Sequence, residues 1–186
     1  KVWRGDSPQT MLLPTLVIVS GPAGSGKTTL AHRLAATIGC PALCRDEIKE
    51  GMVAATPGFV PGYFDPLTLR TYGVFFAAIR LFLEHGVTHV AEAAFQHDNW
   101  VRGLESLQSL AQLRIVRCHV EPAIARARAD RRRDTQHSRA AHDDLGHFSV
   151  DRSFEPIQLE APTLDVDTSN GYAPDLDAIA AFVRSL

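Results

Sequence analysis

Residues 15–28 constrain this chain more than any other stretch. Thr15-Leu-Val-Ile-Val-Ser20 is a short, β-branched apolar run, and Gly21-Pro-Ala-Gly-Ser-Gly-Lys-Thr28 follows it without a gap. An apolar run without alternation reads as a strand buried on both faces, as in the middle of a parallel sheet. The octapeptide matches G-x-x-x-x-G-K-[ST] at every fixed position. Its glycines let the backbone curl so that successive N–H groups point inward at phosphate oxygens. The helix that starts at Lys27 adds the partial positive charge of its N-terminus. Gly21, Ala23, Gly24, Ser25, Gly26, Lys27, Thr28 and Thr29 are therefore candidates for binding ATP. Lys27 reaches the β- and γ-phosphates in such a loop, and the Thr28 hydroxyl is the expected Mg2+ ligand.

The rest of the chain alternates short β-branched runs with longer helical patterns, the mark of a parallel sheet with crossover helices. Strands are expected at 15–20, 41–44, 87–93, 113–120 and 163–167. Helices are expected at 27–38, 46–54, 67–84, 99–111 and 122–133, with a last one opening at Pro174. Residues 56–66 carry three prolines and two glycines and read as a loop. The fold class that follows is α/β, a P-loop NTPase fold with a five-stranded parallel sheet, helices on both faces and an Arg-rich lid. One domain is expected over 13–186, with the lid at about 122–150 and an N-terminal extension at 1–12 to which no function is given. A length of 186 residues suits one domain.

Composition excludes more than it selects. A net charge of -2 provides no global field for nucleic acid or an anionic membrane. No apolar run reaches the length of a membrane span, and Lys1 to Thr10 lacks the apolar core of a signal peptide. Cys40, Cys44 and Cys118 form no disulfide framework and read as thiols of a reducing cytoplasm. Cys40 and Cys44 could ligate a metal, but no second Cys/His pair lies at zinc spacing. His137, His142 and His147, beside Asp143 and Asp144, match no metal spacing either and read as a solvated loop.

In a doubly wound sheet, ligands bind at the carboxyl ends of the strands, and the remaining candidates cluster there. Asp46, after the second strand, either takes the proton of an acceptor hydroxyl or caps the helix expected at Glu47. Glu92 closes the third strand inside an apolar run. It serves Mg2+ through water, contacts the acceptor, or faces solvent. Arg126, Arg128, Arg131, Arg132, Arg133 and Arg139 crowd residues 122–139. Arginines forking onto phosphate oxygens stabilise a transferring phosphoryl group, and a lid carrying them excludes water. Six cannot all reach one phosphate chain. Arg131, Arg132 and Arg139 are chosen as catalytic, and Arg126 as a nucleotide contact. Asp167-Thr-Ser-Asn-Gly171 after the last strand, with Thr168, can surround the adenine or serve only as a turn.

The series GPAGSGKTT, CRDEIKE, a strand ending in an acidic residue, an Arg-rich helix and LDVDTSNGYAPDL resembles the small AAA-type P-loop kinases of the polynucleotide-kinase and zeta-toxin type. Chloramphenicol phosphotransferase belongs to the same set. The resemblance covers roughly Leu16 to Val183, though only the phosphate loop is a specific motif. It implies that Asp46, the aspartate of the R-D-[DE] segment, is the general base. It implies an acidic role for Glu92, where many relatives carry Asp, and a base-binding loop at Asp167 to Gly171. The function it implies is transfer of the γ-phosphoryl of ATP, with Mg2+, to a hydroxyl of a small molecule. Phe59, Tyr63 and Phe64 would stack on a ring of that acceptor or cover the core edge. Two alternatives remain: a 5′-hydroxyl polynucleotide kinase, and a regulatory NTPase without a small-molecule acceptor. No basic, aromatic-interleaved track for a nucleic-acid strand lies outside the lid, and an N-K-x-D motif for GTP is absent.

Overall fold

The computed structural model describes residues 12–62, 65–135, 141 and 154–185. The expected extension at 1–12 lies almost wholly outside them, as do Tyr63, Phe64, Arg139, the three histidines of the lid segment and the two aspartates beside them.

The elements in chain order are β1 (Thr15–Ser20), α1 (Lys27–Ile38), β2 (Ala42–Cys44), α2 (Arg45–Ala54), α3 (Pro66–Glu84), β3 (His89–Glu92), α4 (His97–Glu105), β4 (Gln112–His119), α5 (Pro122–Thr135), β5 (Thr163–Asp167) and α6 (Leu176–Arg184). The five strands form one sheet in the order β2-β3-β1-β4-β5. Every pairing is parallel.

The apolar run of β1 is explained by its two neighbours and its two faces. Leu16 and Ile18 belong to one core cluster, with Phe75, Ile79 and Leu83 of α3 and Trp100 and Leu104 of α4. Val17 and Val19 belong to the other, with Leu30, Ala31 and Leu34 of α1 and Ile179, Ala180 and Val183 of α6. A strand buried on both faces has no polar face to alternate with.

Most element boundaries differ from the sequence reading by one residue or a few, and four of the shifts have a local reason. α2 starts at Arg45 rather than Asp46, directly after the extended residue Cys44. α4 covers His97–Glu105 rather than 99–111. Its end is fixed where the Ser106 hydroxyl donates to the Gly103 carbonyl at 2.7 Å. β3 is shorter than 87–93, and its neighbour residue Val87 instead closes the α3 turn by donating to the Phe82 carbonyl. α6 begins at Leu176, two residues after Pro174, because the Asp175 carboxylate accepts from the Ala178 N–H at 2.9 Å and caps the helix.

α3 is by length and composition long and apolar enough to cross a membrane, contrary to the sequence reading. It carries Arg70 and Arg80. Phe75, Ile79 and Leu83 of its buried face pack into the first core cluster, while Leu69, Val74 and Leu81 are exposed.

The pairing register sets up the site. Val19 lies opposite Glu92, and Glu92 opposite Cys44. The carboxyl ends of β1, β3 and β2 thus form one rim, from which the phosphate loop, Glu92 and the first turn of α2 all emerge.

Candidate nucleotide and phosphoryl-transfer site

The phosphate loop is held from both sides. Ser20 is buried, and its hydroxyl donates to the Ala94 carbonyl at 2.9 Å, tying the end of β1 to the end of β3. Gly24 has a φ of 79°, and a Cβ there would stand 2.4 Å from the Ala125 carbonyl oxygen. Only glycine admits that approach of the α5 backbone. Gly26 occupies the N-cap of α1 with φ 74°, no side chain caps the helix, and its first turn holds no acidic residue. A helix start left in that state favours an anion.

The two residues that close the loop face the same carboxylate. The Thr28 hydroxyl donates to Glu92 Oε2 at 3.1 Å, and Lys27 Nζ lies 3.9 Å from Glu92 Oε1. Lys27 also donates to the Pro22 carbonyl at 3.3 Å. Glu92 is only 2% exposed, which removes the solvent-facing alternative. Burial pushes its carboxyl above the usual range, Lys27 pulls it down, and the charge of Asp46 pushes it up again.

Asp46 stands across the rim in the first turn of α2. It does not cap that helix, whose N-cap position is Cys44 with no side-chain capping bond. Arg45 Nη1 donates to Asp46 Oδ1 at 2.9 Å, the arginine being 14% exposed and the aspartate 39%. The Arg45 guanidinium lies 5.1 Å from the centre of the Tyr72 ring, and its buried Nε has no partner among the described residues. Burial raises the Tyr72 phenol, with Arg45 and Asp46 acting on it in opposite senses. Arg45 and Tyr72 were missed from sequence. The Arg-Asp dipeptide was the available signal for the first.

Beyond Asp46 along α2, a buried ion pair joins that helix to the start of α3. Lys49 Nζ donates to Asp65 Oδ2 at 2.8 Å, with side chains 3% and 4% exposed. Asp65 also caps α3, accepting from the Thr68 N–H at 2.8 Å. Burial alone would raise its carboxyl, but the hydrogen bonds from Lys49 and Thr68 bring it down to about 2. Phe59 is half-buried, its ring centre 5.8 Å from Lys49 Nζ.

The arginine helix presents a different residue from those chosen by sequence. Ala125 meets Gly24, and Arg128, three residues on and so on the same helix face, reaches the loop after β5. Arg128 Nη2 donates to the Thr168 carbonyl at 2.7 Å and the Ser169 carbonyl at 3.2 Å. Arg126 and Arg131 are exposed, and Arg132 is half-buried one turn beyond Arg128. Thr168 is buried, and its hydroxyl donates to the Ser25 carbonyl at 2.7 Å, with the His119 carbonyl 3.0 Å away. Its side chain grips the phosphate loop from below instead of being displayed to a base. Ala23 and Thr29 are exposed, whereas Gly21, Gly24 and Ser25 are buried and the Ser25 hydroxyl has no partner among the described residues.

Comparison with known proteins agrees with this architecture. A family model described as an AAA domain matches residues 16–156. Among solved structures, a proposed kinase from Chloroflexus aurantiacus superposes with a TM-score of 0.80 at 24% identity, covering 93% of this chain and 98% of its own. The Chaetomium thermophilum Kti12 protein, in complex with ADP-AlF3, gives 0.63 at 15% identity, covering 92% and 100%. The Mycobacterium tuberculosis APS kinase, in complex with AMPPNP and APS, gives 0.61 at 15%, covering 92% and 98%. These likenesses show the P-loop fold. None of the curated proteins matches the chain.

Proposed function

The chain belongs to the AAA-domain family matched over residues 16–156, and from that premise we propose that it is an ATP-dependent phosphotransferase acting on a hydroxyl of a small molecule. The observation that carries this reading is the pair of carboxylates on one rim. Glu92 is buried against Thr28 and Lys27, while Asp46 is part-exposed and steadied by Arg45. Two carboxylates in contrasting environments suit two tasks.

Asp46 would orient the acceptor hydroxyl and take its proton as the new O–P bond forms at the γ-phosphorus. The bond to the β–γ bridging oxygen breaks, and ADP leaves. Lys27 and the loop amides would hold the phosphates in line. Thr28 and Glu92 are the residues that would hold magnesium, whose positive charge would offset the negative charge of the phosphates. The fit rests on Glu92, a buried carboxylate with its nearest cation 3.9 Å away. Arg128 would act through position, fixing the loop after β5 against the phosphate loop. The acceptor would enter between the first turn of α2 and the segment leading to Asp65, near Tyr72 and Phe59.

The test is ATP consumption by the purified protein with Mg2+, with and without a panel of nucleosides, nucleotide sugars, amino alcohols, antibiotics and 5′-hydroxyl oligonucleotides. Strong stimulation by one small-molecule class is the expected result. Stimulation by the oligonucleotides alone would replace this reading with a polynucleotide kinase. Slow hydrolysis unchanged by any acceptor would favour the regulatory NTPase.

A further inference from the structure

Outside the phosphoryl-transfer residues, one cluster brings three metal-ligating side chains from two helices and a strand together. His32 of α1 and Glu47 of α2 meet at 2.7 Å between Nε2 and Oε1. Cys44 Sγ, at the end of β2, lies 3.6 Å from the same His32 Nε2. One donor atom from each residue falls within 4.8 Å of the other two. We propose that His32, Cys44 and Glu47 form a binding site for a thiophilic divalent cation, with zinc the ion that fits best.

Three features support it. The first is distance. Zn–S of about 2.3 Å and Zn–N of about 2.0–2.1 Å at a tetrahedral angle place sulfur and nitrogen about 3.5–3.6 Å apart, and the observed separation is 3.6 Å; the His32–Glu47 pair, hydrogen-bonded at 2.7 Å, must open to about 3.3 Å to share the ion, a movement that the exposed Glu47 side chain can make. The second is convergence. A single ring nitrogen faces both a carboxylate oxygen and a sulfur. One imidazole hydrogen serves only one of them, so a cation at the common point satisfies more lone pairs than that hydrogen does. The third is access. His32 and Glu47 are about half exposed, at 50% and 48%, while the sulfur is buried beneath them. An ion entering from solvent keeps water as its fourth ligand. A mixed S, N, O donor set selects zinc over magnesium, which takes oxygen ligands. Cys40, the other thiol of this segment, plays no part, because its sulfur faces the Pro41 carbonyl.

Binding releases the Cys44 thiol proton to solvent, and the His32 ring carries its remaining proton on Nδ1. The ion would join α1, which starts at the phosphate loop, to α2, which carries Asp46.

The test uses the full chain, reduced and free of nucleotide, titrated with Co2+ and then with Zn2+. One equivalent of Co2+ should give the visible absorption of a tetrahedral ion and a near-ultraviolet thiolate charge-transfer band, both removed by Zn2+. Cys44→Ser should abolish the charge-transfer band. His32→Ala, at a half-exposed position, should weaken binding by more than the roughly 10–100-fold that loss of an outer-shell partner costs. Cys40→Ser should change neither. A band that survives Cys44→Ser or vanishes with Cys40→Ser overturns the assignment. So does weak, octahedral-type absorption alone, or unchanged affinity in His32→Ala. None of these readouts needs ATP or an acceptor, so they are independent of the kinase reading.

Discussion

On the phosphate side of the rim, Lys27 and Thr28 each place a polar atom within 3.9 Å of a Glu92 carboxylate oxygen, and the phosphate loop is fixed by glycine geometry and backbone contacts. On the proposed acceptor side, Asp46 is 39% exposed and bonded to Arg45, and the segment beyond it is anchored by a buried ion pair. The first half binds a group common to all nucleotides and is built largely of backbone. The second half, in the proposed function, would fit one particular acceptor, and it is built of side chains on segments without a motif. The chemistry class can therefore be read from the first half, while the acceptor identity resides in the second.

If that division is real, substitutions on the two sides should fail in different ways. The largest effect is expected at Asp46→Asn, which should lower acceptor-dependent kcat by about 10²–10⁴-fold with little change in the KM for ATP. Steady-state kinetics at saturating ATP checks it. A loss carried mainly by KM for ATP would break the comparison. Next comes Asp65→Asn, which leaves Lys49 buried without its counter-charge. Urea unfolding should show a loss of about 3–5 kcal/mol. Lys27→Ala should follow, with turnover lower by about 10²–10³-fold or more, as for removal of one preorganised charge-stabilising donor. Arg128→Ala should cost about 1.5–3 kcal/mol of stability for its charged hydrogen bonds, and would show whether the clamp on the loop after β5 is structural.

The smallest effect is a pH dependence. The Asp65 carboxyl is depressed to about 2 in the folded protein, so its contribution is complete above the unfolded value near 3.9. Stability should fall as pH drops from about 4 toward 2. The Asp65→Asn variant should lack that part of the acid transition, as measured by thermal unfolding across the range.

Much of the fold was legible because its signals are local. The β1 run, the loop glycines and the apolar face of α3 each lie within one segment, and the order of strands and helices followed. The carboxylates Asp46 and Glu92 were legible as charged residues just past strand ends. What sequence could not give were pairings between distant segments. Thr168 grips Ser25 across 143 residues, and Lys49 finds Asp65 across 16. No periodicity records either contact. Nothing in the sequence singles out Arg128 among the arginines of α5, because the face of the helix that meets the loop is set by Ala125 against Gly24, a contact visible only in three dimensions. Sequence spacing sets Cys44 only beside Cys40 and gives no reason to expect a metal there, whereas folding turns it toward His32 and Glu47.

The most direct measurement of the central claim is the affinity for a non-hydrolysable ATP analogue in Lys27→Ala and Asp46→Asn, determined side by side by calorimetry. The account predicts that Lys27→Ala loses most of its affinity while Asp46→Asn binds as the unaltered protein does. Equal losses in both, or a collapse only in Asp46→Asn, would mean that the rim is a single nucleotide site and that Asp46 has no separate task on the acceptor side.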